Sequence, residues 1–304
     1  MILHIPVLLK ESIESLEVQP QGWYIDCTLG TAGHAIAILE KSSLRARLLG
    51  IDVDPRAIEI AKKRLQPYGE AVIVNESFKN LEDTCIKYNF HPVHGILFDL
   101  GFSSLQLEDL NRGFSFKLDA PLDMRFNPEQ PITAETIVNT FSEAEIAALL
   151  KKYGEERHHR LIARKIIAHR PISTTLQLAK VVEDVIGRGR FRIHPATRTF
   201  QALRIAVNQE LANLEIALKQ TVSLLVSGGR LVVISYHSLE DRLVKEFMRR
   251  ESRECLCPPN IPVCVCGHTP TLKLVSRKAI TPSATERKAN PRSRSAKLRI
   301  AERL

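Results

Sequence analysis

Asp26, Asp52 and Asp99 each close a short apolar run, and Gly30 and Gly33 follow the first of them. The segment Tyr24-Ile-Asp26-Cys-Thr-Leu-Gly30-Thr-Ala-Gly33-His34 reads as a strand, a tight turn and a helix. Gly50-Ile-Asp52-Val-Asp54-Pro55 reads as a second strand ending in an acid 19 residues beyond Gly33. Glycines let the backbone approach a nucleotide closely, and an acid about 20 residues further on accepts hydrogen bonds from ribose hydroxyls. The turn lacks the full G-x-G-x-x-G of a dinucleotide site, and Asp26 stands four residues before Gly30. A carboxylate there repels a pyrophosphate and attracts a cation. That favours S-adenosylmethionine, with its positive sulfonium, over a nicotinamide dinucleotide. A Gly-x-x-Gly turn also fits a strand–turn–helix that binds nothing; the spacing of Asp52 weighs for the cofactor.

Asp99-Leu-Gly-Phe102 carries the second chemical signal. Methyltransferases acting on exocyclic amines of bases often place an acid or amide, two compact residues and an aromatic at a strand end. Such an amine, conjugated to its ring, is a poor nucleophile. An acceptor beside it helps the nitrogen pyramidalise, and an aromatic stacks on the extruded base. In-line placement against the methyl group supplies most of the rate, and no metal is required.

Alternating elements must position these groups. Strands are expected at Tyr24–Thr28, Leu48–Asp52, Ala71–Asn75 and Gly95–Asp99. Helices are expected at Ala35–Lys41, Pro55–Gln66 (with Asp54 as N-cap) and Leu81–Tyr88. This alternation predicts a doubly wound parallel sheet, with ligands at the carboxyl ends of the strands, where Asp26, Asp52 and Asp99 fall and where Phe78 follows another strand. From Phe141 to about Asn208 the pattern turns helical. A capping box at Ser142-Glu-Ala-Glu145 opens one helix, which ends near Gly154; others cover Glu155–Arg170 and Leu176–Ile186, and a fourth starts near Pro195. The sheet then resumes, with a helix over Leu211–Ser227, a strand over Arg230–Ser235 and a helix from Ser238. The expected division is a core over 1–106, an inserted helical domain over 107–208, the rest of the core over 209–268 and a basic tail over 269–304.

Net charge is +9, and Thr269–Leu304 carries ten Lys/Arg against two Glu, so nearly all the excess lies in the tail. There Asn290-Pro-Arg292-Ser-Arg294-Ser-Ala-Lys297 alternates bases with small residues and suits phosphate binding. Between Gly187 and Gln209 stand Arg188, Arg190, Arg192, Arg198 and Arg204 with no acid, interleaved with Phe191 and Phe200. Arginine with aromatics suits RNA; the two phenylalanines fit base stacking or a core equally. No apolar run approaches the ~20 residues of a membrane span. The N-terminus lacks a charged segment and cleavage site, so a cytoplasmic protein is expected. Cys27 and Cys85 read as core thiols. Cys255, Cys257, Cys264 and Cys266 form two C-x-C pairs six residues apart. Four thiolates could hold zinc, yet C-x-x-C is the usual spacing, and a proline-rich loop with reduced thiols fits as well. No metal ligand is assigned on spacing alone.

The motifs together resemble one family. They are His4-Ile-Pro-Val-Leu-Leu-Lys-Glu11, Asp26-Cys-Thr-Leu-Gly-Thr-Ala-Gly-His34, Asp99-Leu-Gly-Phe-Ser-Ser-Leu-Gln106, Arg112-Gly-Phe-Ser-Phe116, Ala120-Pro-Leu-Asp-Met-Arg125, Pro195-Ala-Thr-Arg-Thr-Phe-Gln-Ala-Leu-Arg-Ile-Ala-Val-Asn208, Ser235-Tyr-His-Ser-Leu-Glu-Asp-Arg242 and Asn290-Pro-Arg-Ser-Arg-Ser-Ala-Lys297. In this order, over nearly the whole chain, they resemble the bacterial small-subunit ribosomal RNA N4-cytosine methyltransferases. The resemblance implies a class I S-adenosylmethionine-dependent fold, a Rossmann-like doubly wound sheet with an inserted all-helical domain. It implies methylation of a cytidine in the decoding centre of 16S rRNA, with the small subunit as partner. Separately, the low Lys/Arg excess outside the tail leaves room for a homodimer.

The family's cofactor contacts map onto Ala32, Gly33, His34, Asp52, Phe78, Asp99 and Gln106. Asp52 is expected on the ribose, Phe78 on the adenine, and His34 with the amides near Gly33 on the carboxylate. Asp99, Phe102, Asp123 and His237 are the candidates beside the base, although His237 also fits a buried histidine satisfied by Asp241 or a carbonyl. Arg188, Arg190, Arg192, Arg198, Arg292 and Arg294 are the expected RNA contacts. Ala32 and Leu105 replace a usual glycine and proline. A methyl group at position 32 is tolerable unless the backbone there needs a positive φ. A DNA amino-methyltransferase and a non-catalytic ribosome assembly factor are the competing readings.

Overall fold

The computed structural model describes residues 6–69, 71–187, 194–258 and 263–304. They form two compact units, one built from residues 1–101 and 211–304 and the other from 102–210.

The first unit holds a seven-stranded sheet. In chain order its strands are β1 (Trp23–Asp26), β2 (Arg47–Asp52), β3 (Ala71–Asn75), β4 (Val93–Asp99), β5 (Leu225–Ser235), β6 (Leu272–Leu274) and β7 (Lys297–Arg303). Their order across the sheet is β3-β2-β1-β4-β5-β7-β6. The first five pair in parallel, while β7 runs antiparallel to both β5 and β6. This is the doubly wound class I methyltransferase arrangement that the motifs implied. Side-chain alternation sorts the core onto two faces. Ile25, Leu49, Ile51, Ile96, Phe98, Leu231 and Val233 pack on one side with Leu214, Leu218, Val244 and Met248 from helices Glu210–Leu224 and Ser238–Glu251. Tyr24, Leu48, Leu97, Val232 and Ile234 pack on the other with Ile38, Leu39, Ile58 and Leu65 from helices Gly33–Lys41 and Pro55–Leu65. Strands buried on both faces read as continuous apolar runs, which is why the sequence revealed them.

Local chemistry sets the helix starts. Asp54 accepts from the Arg56 N–H at 3.0 Å with Pro55 in the first turn, and Ser142 and Thr174 build capping boxes with Glu145 and Gln177. The helix after Gly154 starts at His159 rather than Glu155, because Glu155 adopts φ +48° and ends the preceding helix. The helix expected through Ser227 stops at Leu224. Strand β5 begins at once, with Leu225 opposite Val93 and Arg230 opposite Gly95, so residues 226–229 bulge out between the two pairs, aided by φ +80° at Gly228.

The segment 269–304, expected as a basic tail, is built into the sheet. It contributes β6 and β7, and its bases are partly consumed by the fold. Lys297 and Arg299 bond the Asp241 carboxylate at 2.8 and 2.7 Å, and Arg303 donates to the Val222 and Thr271 carbonyls. Charge counting missed this because β7 pairs with a strand some 60 residues away, and its register exists only in the folded sheet.

The second unit is helical among the described residues, with helices Ser104–Glu108, Ala134–Thr140, Glu143–Gly154, His159–Ala168, Thr175–Ile186 and Thr197–Asn208. Its core centres on Ile137, Ile146, Leu150, Ile162, Ile166, Leu178, Val182 and Leu203. Phe200 is buried there, edge-on to Phe116 at 5.1 Å, so it packs rather than waits for a base. Gly154 is required for close approach, since a Cβ would lie 2.7 Å from the Arg198 carbonyl oxygen. No described helix is long and apolar enough to cross a membrane.

Phe98 lies wholly buried in the central strand β4. Phe98→Ala is expected to cost about 3–5 kcal/mol, as large-to-small core changes do. Leu161→Ala, at a position 53% exposed, should stay within about 0.5 kcal/mol of the parent. Urea unfolding of the two variants measures the difference.

Candidate functional site

Parallel pairing delivers three acids to one edge of the sheet. Asp26 ends β1, Asp52 ends the neighbouring β2, and Asp99 ends β4 on the other flank of β1. The strand order reverses direction between β1 and β4, the position where open α/β sheets bind ligands.

The turn after β1 is held by these acids. The Asp52 Oδ2 accepts from the Gly30 N–H at 2.7 Å, and its Oδ1 from the Asp54 N–H at 2.9 Å. Asp26 Oδ1 accepts from the Thr28 N–H at 3.1 Å. Gly30 has φ +50°, and a Cβ there would meet only the Thr28 carbonyl oxygen, at 3.8 Å, so its space is open. Gly33 is different: a Cβ would lie 2.4 Å from Pro6 Cγ, and its glycine serves chain packing. Ala32 adopts φ +65° as the N-cap of helix Gly33–Lys41. The condition that makes a methyl group costly is therefore met, at about 1–2 kcal/mol. At the start of that helix the N–H groups of the first turn have no intrahelical acceptor and form a donor set for an anion.

Burial governs the electrostatics. It pushes the Asp26 and Asp52 carboxyls up to about 6, against the lowering effect of the His34 imidazole on Asp26 and of backbone N–H groups on Asp52. It pushes Asp99 up to about 7, despite the opposing hydrogen bond from Tyr236. Asp99 is tightly placed. Its N–H donates to Thr28 Oγ1 at 2.6 Å, Tyr236 Oη donates to its Oδ1 at 2.6 Å, and His34 Nδ1 stands 3.6 Å from its Oδ2. His34 is buried, with Nε2 3.2 Å from the Val7 carbonyl oxygen. A carbonyl only accepts, so Nε2 carries a proton there, and Nδ1 faces the Asp99 carboxyl. Desolvation lowers the His34 pKa, against the raising effects of Asp26 and the Val7 carbonyl. Both ring nitrogens are turned to Val7 and Asp99, which leaves backbone amides rather than the imidazole as donors to a ligand carboxylate. Phe78, in the turn after β3, meets Phe98 edge-on at 5.7 Å.

Tyr236 went unrecognised in the sequence. It lies within a quoted motif, but its role depends on β5 ending beside β4, which places its hydroxyl on Asp99 and its ring 3.3 Å from where a Gly101 Cβ would stand. His237 is the N-cap of helix Ser238–Glu251. Its Nδ1 accepts from the Glu240 N–H at 3.4 Å, and its Nε2 lies 3.1 Å from Glu240 Oε1. Its Nδ1 is therefore satisfied by the Glu240 N–H, while its buried Nε2 makes no hydrogen bond among the described residues; Asp241 bonds Lys297 and Arg299 instead.

The remaining candidates belong to the second unit. Phe102, 39% exposed, heads a stack of three rings: Phe102 on Phe114 at 5.8 Å and Phe114 on Phe126 at 5.6 Å, with the Arg204 guanidinium 4.9 Å from the Phe102 ring. Arg204 is also held by Glu210 through two bonds of 2.9 Å, which removes it from the free bases. Asp123 forms a two-oxygen ion pair with Arg125 and accepts the Arg125 N–H. Gln106 is buried, and its Oε1 accepts from the Ser103 N–H in a capping box. Arg198 is exposed on helix Thr197–Asn208. In the first unit Arg292 and Arg294 are exposed on the turn before β7. Arg188, Arg190, Arg192 and Phe191 lie outside the described residues.

The sequence matches the model of the MraW methylase family over residues 1–304. A relative from Dehalococcoides mccartyi, named ribosomal RNA small subunit methyltransferase H, is 58% identical over 302 residues, covering 99% of this chain and 86% of its own. Proteins of the same name from Thermomicrobium roseum and Halothermothrix orenii are 53% and 47% identical, covering 99% and 100% of this chain and 94% and 99% of their own. Matched from end to end, with a sheet and a strand-end acid cluster suited to a cationic nucleoside, this chain belongs to the MraW methylase family of S-adenosylmethionine-dependent methyltransferases.

Proposed function

We propose that this chain methylates ribosomal RNA of the small subunit, and that the acceptor is the N4 amine of a cytidine in the decoding centre of 16S rRNA. The observation that carries the reading is the set of three strand-end carboxyls, Asp26, Asp52 and Asp99, around the Gly30 turn. The relatives' names supply the ribosomal substrate, and the acid-to-aromatic segment Asp99-Leu-Gly-Phe102 supplies the exocyclic amine.

The residues fit the cofactor. Its sulfonium and ammonium are cations that buried carboxyls attract, and its carboxylate suits the free N–H groups of the Gly33–Lys41 helix. When bound, S-adenosylmethionine supplies an electrophilic methyl group. Asp52, with each oxygen already bonded to one backbone N–H, keeps lone pairs for ribose hydroxyls. Phe78 offers an apolar face for the adenine. Tyr236 and Thr28 hold Asp99 in place, so its carboxylate accepts from an amine N–H without side-chain reorganisation. Phe102, backed by Phe114 and Phe126, offers a rigid platform for a base. Asp123 acts through Arg125 and shapes the loop of its unit, while His237 and Gln106 hold helix starts. Arg198, Arg292 and Arg294 are the exposed bases assigned to RNA phosphates, with Arg188, Arg190 and Arg192.

The deciding experiment is transfer from labelled S-adenosylmethionine to small subunits lacking the modification, with naked 16S rRNA and duplex DNA alongside. N4-methylcytidine in the subunit RNA is expected by mass spectrometry. Labelled DNA, or no transfer with cofactor binding intact, refutes the assignment. Asp52→Ala should weaken cofactor binding about ten- to hundredfold, the worth of hydrogen bonds to a charged group, and calorimetry reads this directly. Affinity should also depend on pH. The three carboxyls are protonated more readily in the free protein than ordinary acids, and a cation favours their ionised forms. Binding is therefore tightest above pH 7 and falls as pH drops through 7 and then 6, by up to about tenfold per unit for each proton taken up. In Asp99→Asn the fall near pH 7 should vanish and the fall near 6 persist; the same pH profile in both proteins would show that Asp99 is not the titrating group.

A further inference from the structure

We propose that Cys255, Cys257, Cys264 and Cys266 form a structural zinc site outside the methyl-transfer machinery. The four thiols come from a loop between helix Ser238–Glu251 and β6, and their sulfur atoms all lie within 4.8 Å of one another. The separations are 3.4 Å for Cys255–Cys264, 3.5 Å for Cys264–Cys266 and 3.9 Å for Cys255–Cys266. A zinc ion bound by four thiolates at about 2.3 Å sets the edge of its sulfur tetrahedron at about 3.8 Å, so three of the sulfurs already stand close to ligand positions and the fourth, of Cys257, lies within 4.8 Å of each of them. All four cysteines are free. The two C-x-C pairs, six residues apart in sequence, thus bring four sulfurs to one place.

Two further observations point to a metal. Backbone N–H groups aim at three of the sulfurs: Cys257 N–H at Cys255, Val265 N–H at Cys257 and Leu256 N–H at Cys266, at 3.3 to 3.4 Å. Such donors stabilise thiolate charge and orient the ligands. Meanwhile the described residues of the loop have no core of their own. No described residue from 252 to 270 is buried, and Val263 and Val265 are 70% and 75% exposed. Its base is pinned, with Thr271 N–H donating to the Glu251 carbonyl and Thr271 Oγ1 to Glu251 Oε2, both at 2.8 Å. Beyond that point the apolar effect cannot hold the chain, and metal–thiolate bonds would. Four soft sulfur ligands with no carboxylate among them select zinc over the hard cations. Each thiol loses its proton to solvent on binding, and the ion's positive charge offsets half of the resulting four negative charges.

The test uses the full chain purified under reducing conditions without chelator. One zinc ion per chain is expected by elemental mass spectrometry. Cobalt substitution should produce the thiolate-to-cobalt charge-transfer bands of a four-sulfur site, and the four thiols should resist a thiol reagent until the metal is removed. Cys255→Ser and Cys264→Ser should each lose the zinc while circular dichroism and S-adenosylmethionine affinity stay at the parent level, which separates this site from the cofactor reading. Protein that carries no stoichiometric metal, shows no cobalt–thiolate bands and exposes four equally reactive thiols overturns the proposal. Stoichiometric iron with visible absorption in place of zinc overturns it equally.

Discussion

Everything at the methyl-donor end of this molecule depends on parallel pairing along β1. With β2 on one flank and β4 on the other, three strands finish at one edge, and each finishes in an acid. Loss of hydration raises all three carboxyls, and at Asp26 the neighbouring Asp99 and Asp52 add to the rise. Like charges in a low dielectric would repel and weaken the fold. The site meets this with donors: Gly30, Asp54 and Thr28 backbone N–H groups, and the Tyr236 hydroxyl. What remains is a crevice whose acids ionise most easily when a cation enters, a physical basis for choosing a sulfonium compound over an anionic dinucleotide.

The second unit solves a different problem. Its helices are specified locally by capping boxes at Thr133, Ser142 and Thr174 and globally by one apolar core. Its polar residues largely serve that architecture. Asp123 is consumed by Arg125 and Arg204 by Glu210. The exposed Phe102 stands out against this background, as the accessible end of a ring stack otherwise built into the unit. An aromatic fixed in this way loses little conformational freedom on meeting a base.

Much of the fold was legible. Doubly buried strands announce themselves as apolar runs, and Asp54-Pro55 and Ser142 to Glu145 are start signals that act within a few residues. The strand-end acids were legible for the same reason, since a strand's last residue is a local property. Segments whose structure depends on distant pairing were illegible. β7 is a strand because β5 lies beside it, and its charged residues read as part of a phosphate-binding basic tail until Asp241 is seen to bind two of them. Tyr236 lay in plain view inside a motif, yet nothing near it in sequence says that its hydroxyl reaches Asp99, 137 residues away.

The cysteine pairs mark the boundary. Residue types and spacing specified which elements form, which acids end them, and that four thiols lie within a dozen residues. Only the tertiary structure decided which acids share a crevice, which of the basic residues are spent on ion pairs, and whether the thiols converge. The physical reason is range. Capping, turn geometry and side-chain alternation act over a few residues, and so can be read along the chain. Burial, charge coupling and ligand convergence depend on neighbours in space, and those neighbours exist only after the sheet has closed.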